Sequence, residues 1–191
     1  MSSIKKLLMQ HSNLRTKRLT LRPVLLEDFN SMYSYSSDPE NTRYLDTFSS
    51  EEVFLEVMEN FWIGDPIGKY AIVLNDNKAM IGTIEVHLNE KNKSAEIGYI
   101  IDKHYWGNGY LPEAYSEIMA LAFEKLNLVR IYSMTDSLNV NSRRVLDKLG
   151  LKLEGVLQGD RYVDGKYYGD TAIYGMTKQL YNKNDVLKNN G

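Results

Sequence analysis

The chain of 191 residues contains no cysteine. That absence excludes a disulfide framework, a thiolate metal site and a cysteine nucleophile. Histidine is sparse as well. His11, His87 and His104 are scattered, without His-x-x-x-His spacing or an adjoining Asp/Glu cluster, so no metal site is expected. Nor is there an excess of one charge: 23 basic and 25 acidic residues give a formal −2, which argues against a general nucleic-acid binder. No apolar run approaches membrane-spanning length, and the N-terminus lacks the long apolar core of a signal peptide. These absences leave a soluble domain, expected in the cytoplasm, whose 43% hydrophobic content is ample for one core.

What is present is concentrated between Ala95 and Tyr115, AEIGYIIDKHYWGNGYLPEAY. An apolar strand, Ile97 to Ile101, runs into an aromatic turn, then into Gly107-x-Gly109 and a helix opened by Pro112 and Glu113. A strand ending in a glycine turn before a helix aims free backbone N–H groups and the positive end of a helix dipole at one point. Glycine suits that turn because a Cβ would block an approaching anion or forbid the dihedrals, and Pro112 suits a first helical turn. Gly107 and Gly109 could be plain turn residues. Their place between a buried strand and a proline-started helix favours a phosphate site.

The rest of the chain supplies alternating elements. Residues 1–13 are short, basic and weakly amphipathic, and are expected to form an arm or frayed helix; residues 182–191 read as a polar tail. Arg18 to Pro23 alternates as a half-buried strand. Glu27 to Ser36 predicts a short helix packing Phe29, Met32 and Tyr33. A capping box, Ser49-x-x-Glu52, predicts a second helix burying Val53, Phe54, Val57, Met58 and Phe61. Tyr70 to Leu74, Ala79 to His87 and Ala95 to Ile101 read as an antiparallel meander. The helix after the glycine loop puts Ala114, Tyr115, Ile118, Met119, Ala122 and Leu126 on one face. Val129 to Met134 follows that crossover helix and is expected parallel to Ala95 to Ile101. Asn139 to Leu149 is a helix closed by Gly150. Leu153 to Val163 and Lys166 to Met176 flank Asp164-Gly165, a type I′ hairpin signal.

The segment His104-Tyr105-Trp106-Gly107-Asn108-Gly109 resembles the acetyl-CoA pyrophosphate loop of the GNAT acetyltransferase superfamily, usually written Q/R-x-x-G-x-G/A, with His104 at the Gln/Arg position. Tyr110 to Ala114 is similar to the RimJ/RimL-type branch, which contains ribosomal-protein N-terminal acetyltransferases. So are the opening Leu14 to Phe29, LRTKRLTLRPVLLEDF, and Asn139 to Gly150, NVNSRRVLDKLG. The resemblance covers roughly Leu14 to Lys178. It implies an α+β GNAT fold over residues 14–178: a mixed, mostly antiparallel sheet of about seven strands with a splayed parallel central pair, flanked by helices. Residues 1–13 are then an arm and 179–191 a tail.

The resemblance also implies roles. Backbone groups of Tyr99, Ile100 and Ile101 would pair with the pantetheine arm, and Trp106, Gly107, Asn108, Gly109, Tyr110, Leu111 and Pro112 would form the loop that holds acetyl-CoA. Trp106 and Tyr110 read as packing anchors of that loop. Asn139 would contact the pantetheine, and Ser142 would help protonate the departing thiolate; helix capping explains both residues as well. Many relatives carry a tyrosine four residues after that position, here Leu146. Attack on a thioester needs a neutral amine, so a proton acceptor is required. Glu96 resembles the catalytic glutamate of the histone-modifying branch, and alternation puts it on one face with Gly98 and Ile100. A structurally paired acid is the competing reading. Glu85 on the neighbouring strand is a second carboxylate, and Arg161 stands where some relatives have an acid. Tyr162, Tyr167 and Tyr168 read as packing or an interface, or as a wall of the acceptor pocket; a homodimer is compatible with the sequence.

Together these features point to an acetyl-CoA-dependent N-acetyltransferase acting in a ternary complex on a protein N-terminus or a small-molecule amine, without a metal. A non-catalytic acyl-CoA-binding domain on the same fold is the alternative. A dinucleotide oxidoreductase fits poorly, because the glycine loop follows antiparallel strands and lacks a third glycine. A protein α-amine, with a pKa near ~8 against ~10.4 for lysine, needs less help to lose its proton and so suits a chain without an evident base.

Overall fold

The computed structural model describes residues 3–163 and 166–183. The chain runs α1 (Ile4–Gln10), β1 (Leu14–Arg15), β2 (Leu19–Arg22), α2 (Phe29–Ser36), α3 (Glu51–Val57), β3 (Lys69–Leu74), β4 (Met80–Asn89), β5 (Ser94–Ile101), α4 (Tyr110–Ala120), β6 (Arg130–Asp136), α5 (Val140–Lys148), β7 (Lys152–Val163), β8 (Lys166–Thr177) and α6 (Lys178–Lys183). The eight strands form one sheet in the order β1-β2-β3-β4-β5-β6-β8-β7. Every neighbour pair is antiparallel except β5 and β6, which are parallel, as the crossover helix between them requires. The strand beyond the expected seven is the two-residue β1, too short to leave a periodic signal. The Asp164-Gly165 turn and the last eight residues of the expected tail lie outside the described residues.

Period-two alternation divides the core between the two faces of the sheet. On β3, Tyr70, Ile72 and Leu74 point to one face, where they meet α4 through Ala114, Tyr115, Ile118 and Met119. Ala71 and Val73 point to the other face and meet Met32, Tyr35, Phe54, Met58 and Trp62 of the α2–α3 region. Burying each such side chain stabilises the fold by roughly 1.5–3 kcal/mol. All six apolar positions expected on the inward side of α4 and its continuation are buried.

Two local expectations shift. The N-cap of α3 is Ser50, whose side chain accepts from the Val53 N–H, and not Ser49. The helix then continues in wider π-helical winding, Met58–Ile63. That register turns Phe54, Met58 and Trp62 inward and leaves Val53 and Phe61 exposed. The end of α5 is as expected: Leu151 N–H donates to Leu146 C=O and Gly150 N–H to Asp147 C=O, with Leu146 and Leu151 both buried.

Of the two readings of the first residues, an arm or a frayed helix, the structure has a helix, α1, which is capped by Ser3 and inserts Leu8, 1% exposed, into the core. Tyr70 fixes the turn after α1 by donating from its hydroxyl to the His11 carbonyl at 2.9 Å. Leu8→Ala is expected to cost about 2–5 kcal/mol in urea denaturation. A change below about 0.5 kcal/mol would mean that α1 is frayed in solution.

Glu113, in the first turn of α4, ties that helix to the β1–β2 turn. It accepts from the Thr16 hydroxyl at 2.6 Å, from the Arg18 amide at 2.8 Å and from the Arg18 guanidinium. Burial pushes its carboxyl up, and these hydrogen bonds outweigh burial, so its pKa lies below the ordinary 4.5. A carboxyl lowered in the folded state contributes stability above its unfolded pKa and loses it as pH falls through the folded value. The melting temperature of Glu113→Gln should therefore lie below that of the native protein at pH 7, and the gap should close with acidification below about pH 4.5. A gap unchanged by acid would dissociate the tie from the charge of Glu113.

Candidate active site

β5 and β6 pair only from Ser94/Arg130 to Glu96/Tyr132. Beyond that rung they separate. The Asp102 N–H donates to Ile81 C=O on β4 at 2.9 Å, which fixes the alternation of β5. Even-numbered residues direct their backbone groups to β4, and Ile97, Tyr99 and Ile101 direct theirs towards β6. The Ile97 carbonyl is taken by the Ser133 hydroxyl at 2.6 Å, and Ser133 also meets the Tyr115 hydroxyl at 2.8 Å. The Ile101 carbonyl accepts from the Trp106 indole N–H at 2.8 Å. The N–H and C=O of Tyr99 and the N–H of Ile101 thus face a gap that continues no strand pairing. Backbone groups left without a strand partner in this way call for another.

The gap opens into a cleft of about 720 Å³, within the usual size of a small-molecule site. Of the residues expected to hold a cofactor, Tyr99, Ile100, Ile101, Trp106, Gly107, Gly109, Tyr110, Leu111, Pro112, Asn139 and Ser142 all line it. Ile100 lines it through its side chain, since its backbone is directed to β4 opposite Thr83. Asn108 does not line it. Its amide donates to the Tyr105 and Trp106 carbonyls, both at 3.2 Å, and its own carbonyl accepts from Arg18 at 2.9 Å. Asn108 is a brace of the loop. His104 points to solvent and is held by Asp102 at 2.7 Å.

Gly107 and Gly109 both adopt left-handed backbone, with φ of 78° and 77°. A Cβ on Gly107 would meet nothing within 4 Å, and one on Gly109 only Arg18 Nη2 at 3.5 Å. The glycines are therefore required by backbone conformation, and the space above them is open. Gly109 is the N-cap of α4, which starts at Tyr110, two residues before the expected Pro112. The unpaired N–H groups of the first turn accordingly face the cleft beside the loop. Arg43, Arg144, Lys148 and Arg161 bring four cations to its walls in a chain of net charge −2. An elongated ligand with anionic phosphates at one end and amide groups along its length fits this donor set.

Ser142 and Asn139 come together at the start of α5. Asn139 Oδ1 accepts the Ser142 N–H at 3.1 Å, so the capping reading of Asn139 holds. The Ser142 hydroxyl is free of that duty and lies 2.7 Å from the Tyr99 hydroxyl. Burial pushes the Tyr99 phenol up to about 12, against the smaller opposing effect of its bond to Ser142, so the phenol stays protonated at neutral pH. The Tyr99 side chain is the main residue that the sequence reading missed: its backbone was singled out, but nothing local pairs it with a serine 43 positions away. Arg18 was missed for the same reason. Leu146 is fully buried.

The two candidate carboxylates lie outside the cleft lining. Glu96 occupies the last paired rung, between His87 on β4 and Tyr132 on β6. Burial and then the neighbouring Glu96 charge push the Tyr132 phenol up. Glu85 stands opposite Gly98 and accepts from His87 Nε2 at 2.8 Å. Among the described residues no group of three or more His, Cys, Asp or Glu side chains is placed to hold a metal ion, and no helix is long and apolar enough to cross a membrane.

Comparison with known proteins agrees with this geometry. The family described as "Acetyltransferase (GNAT) domain" matches residues 18–152. "Uncharacterized N-acetyltransferase YoaA" of Bacillus subtilis is 35% identical over 171 residues, covering 86% of this chain and 96% of that protein. The spermidine N(1)-acetyltransferase of Escherichia coli strain K12 is 28% identical over 151 residues, covering 77% and 80%. In fold, the chain is similar to a Vibrio cholerae spermidine N-acetyltransferase solved with CoA and spermine (TM-score 0.73, 22% identity, 87% and 99% covered). A GNAT-fold sheet parting at its one parallel pair, a glycine loop at a helix N-terminus and a family match over most of the chain lead to one assignment: the chain belongs to the GNAT acetyltransferases and is an N-acetyltransferase.

Proposed function

We propose that the protein transfers the acetyl group of acetyl-CoA to a primary amine by direct attack in a ternary complex. The observation that carries this reading is the strand gap with the Tyr99–Ser142 hydroxyl pair at its edge. Acetyl-CoA supplies an activated thioester carbonyl. The loop N–H groups of α4 bind its phosphates, and the backbone of Tyr99 and Ile101 orients its amide-bearing arm. Ser142 then lies where a thiolate would depart, with its hydroxyl held by Tyr99 and ready to donate a proton. The chain has no cysteine to carry an acyl group, which favours a ternary complex over a covalent relay.

Two acceptor classes remain in this proposal. The RimJ/RimL-like segments favour a protein N-terminal amine, and the spermidine acetyltransferase relative favours a small polyamine. Initial rates with acetyl-CoA on spermidine and on an alanine-initiated peptide separate them.

The phosphate site is tested at Gly107. Gly107→Ala introduces a methyl that touches no protein atom, so beyond about 1–2 kcal/mol of left-handed strain its cost falls on the ligand. Calorimetry should show acetyl-CoA affinity reduced at least about tenfold, which corresponds to 1.4 kcal/mol. Unchanged affinity would remove the loop from the site.

The proton donor is tested at Ser142. Ser142→Ala should lower kcat by about 10²-fold with acetyl-CoA affinity retained, and Tyr99→Phe should fall between that variant and the native enzyme. Normal kcat with reduced thermal stability would leave Ser142 as a helix-start residue only.

A further inference from the structure

At Gly98 the face of the sheet opposite Tyr99 and Ser142 carries a pair of groups that the steps above do not use. Gly98 lines the cleft. A methyl built on its Cα would stand 3.8 Å from His87 Nε2 and 3.9 Å from the carboxyl carbon of Glu85. The Glu85–His87 pair therefore sits directly over Gly98, just past the last paired rung, where the strand gap begins. Tyr99 and Ser142 approach that gap from the α4 side, because Tyr99 packs against Tyr115 of α4 with ring centroids 5.8 Å apart. Ser142 and His87 thus lie on opposite faces of the gap, the imidazole beside Gly98 and lining the adjoining cavity on its own face.

We propose that His87, oriented by Glu85, is the base that takes the proton of the acceptor amine. This rests on the amine acetyl transfer proposed above. Nε2 donates to Glu85 Oε2, which leaves Nδ1 as the lone pair, and the ring is 44% exposed, so a water molecule can carry the proton to it. The step balances. One proton leaves the ammonium for His87, the amine nitrogen bonds to the acetyl carbonyl carbon, the carbon–sulfur bond breaks, and Ser142 gives its proton to the thiolate; the second proton that the nitrogen sheds in becoming an amide passes through water to restore the Ser142 hydroxyl. His87 afterwards returns its proton to solvent.

The groups facing His87 set its titration. The bond to Glu85 raises its pKa above the ordinary 6.5; desolvation lowers it, the charges of Glu85 and Glu96 raise it, and Lys69 on β3 lowers it. The Phe61 ring lies 6.3 Å from the imidazole, and Tyr132 flanks Glu96 on β6. Lys5, Asp65 and Glu90 line the adjoining cavity of about 460 Å³. A base must be deprotonated, so the rate should rise with pH through the raised value and level above it.

The test uses the full chain. Addition of acetyl-CoA should move the NMR signals of the His87 ring, and Glu85→Gln should shift the His87 titration to lower pH. With spermidine or an alanine-initiated peptide as acceptor, His87→Asn should lower kcat by about 10²-fold at pH 7 and abolish the limb that follows His87. Glu85→Gln should move that limb to lower pH, an effect a structural contact would not have. Gly98→Val, a strand former at an extended position, should cut turnover at least tenfold in a protein that still binds acetyl-CoA. If acetyl-CoA binds by calorimetry and the His87 signals stay fixed, or His87→Asn turns over within twofold of the native enzyme from pH 6 to 9, the base assignment fails and the acetyltransferase reading stands. If acetyl-CoA does not bind, both fail.

Discussion

The parting of β5 from β6 is the constraint on which the rest depends. A sheet that continued its pairing past Glu96/Tyr132 would satisfy its own backbone and leave no site. Ser133 ends the pairing by placing its hydroxyl on the Ile97 carbonyl, where a β6 amide would otherwise bind. The Trp106 indole takes the Ile101 carbonyl at the other end. Between these two side-chain bonds the edge of β5 is held open, and an extended amide-bearing ligand can complete it like an added strand.

The loop and α4 are fixed to that gap from both sides. Trp106 ties the loop to the end of β5, and Glu113 ties the first turn of α4 to Thr16 and Arg18. Arg18 also binds the Asn108 carbonyl and stacks over the Tyr110 ring at 4.6 Å. The anion-binding N–H groups are consequently held in place by residues from the start of the chain. Preorganisation of this kind keeps the donors aimed before the ligand arrives, which lowers the ordering cost of binding.

Much of this was legible in the sequence, and what was not has a common cause. Short-range chemistry read correctly: the left-handed glycines, the end of α5 at Gly150, the inward face of α4 and the parallel crossover follow from local rules. The errors within that range are shifts of register, since two adjacent serines compete to cap α3 and a π-helical stretch changes which residues face the core. Contacts across the chain left no local trace. Glu113 looked like an ordinary acid at a helix N-terminus, yet its partners are 97 and 95 residues away. Leu8 in a short basic segment gave no sign that it reaches the core. His87 lacked metal spacing and for that reason drew no role, although strand register brings it over Gly98.

The central claim is that the strand gap, and not merely the glycine loop, receives acetyl-CoA. Amide hydrogen exchange measures it residue by residue. Saturation with acetyl-CoA should strongly protect the Tyr99 and Ile101 N–H groups while leaving Glu96, already within the paired part of β5, unchanged. Saturating binding with no change in exchange at Tyr99 and Ile101 would contradict the account.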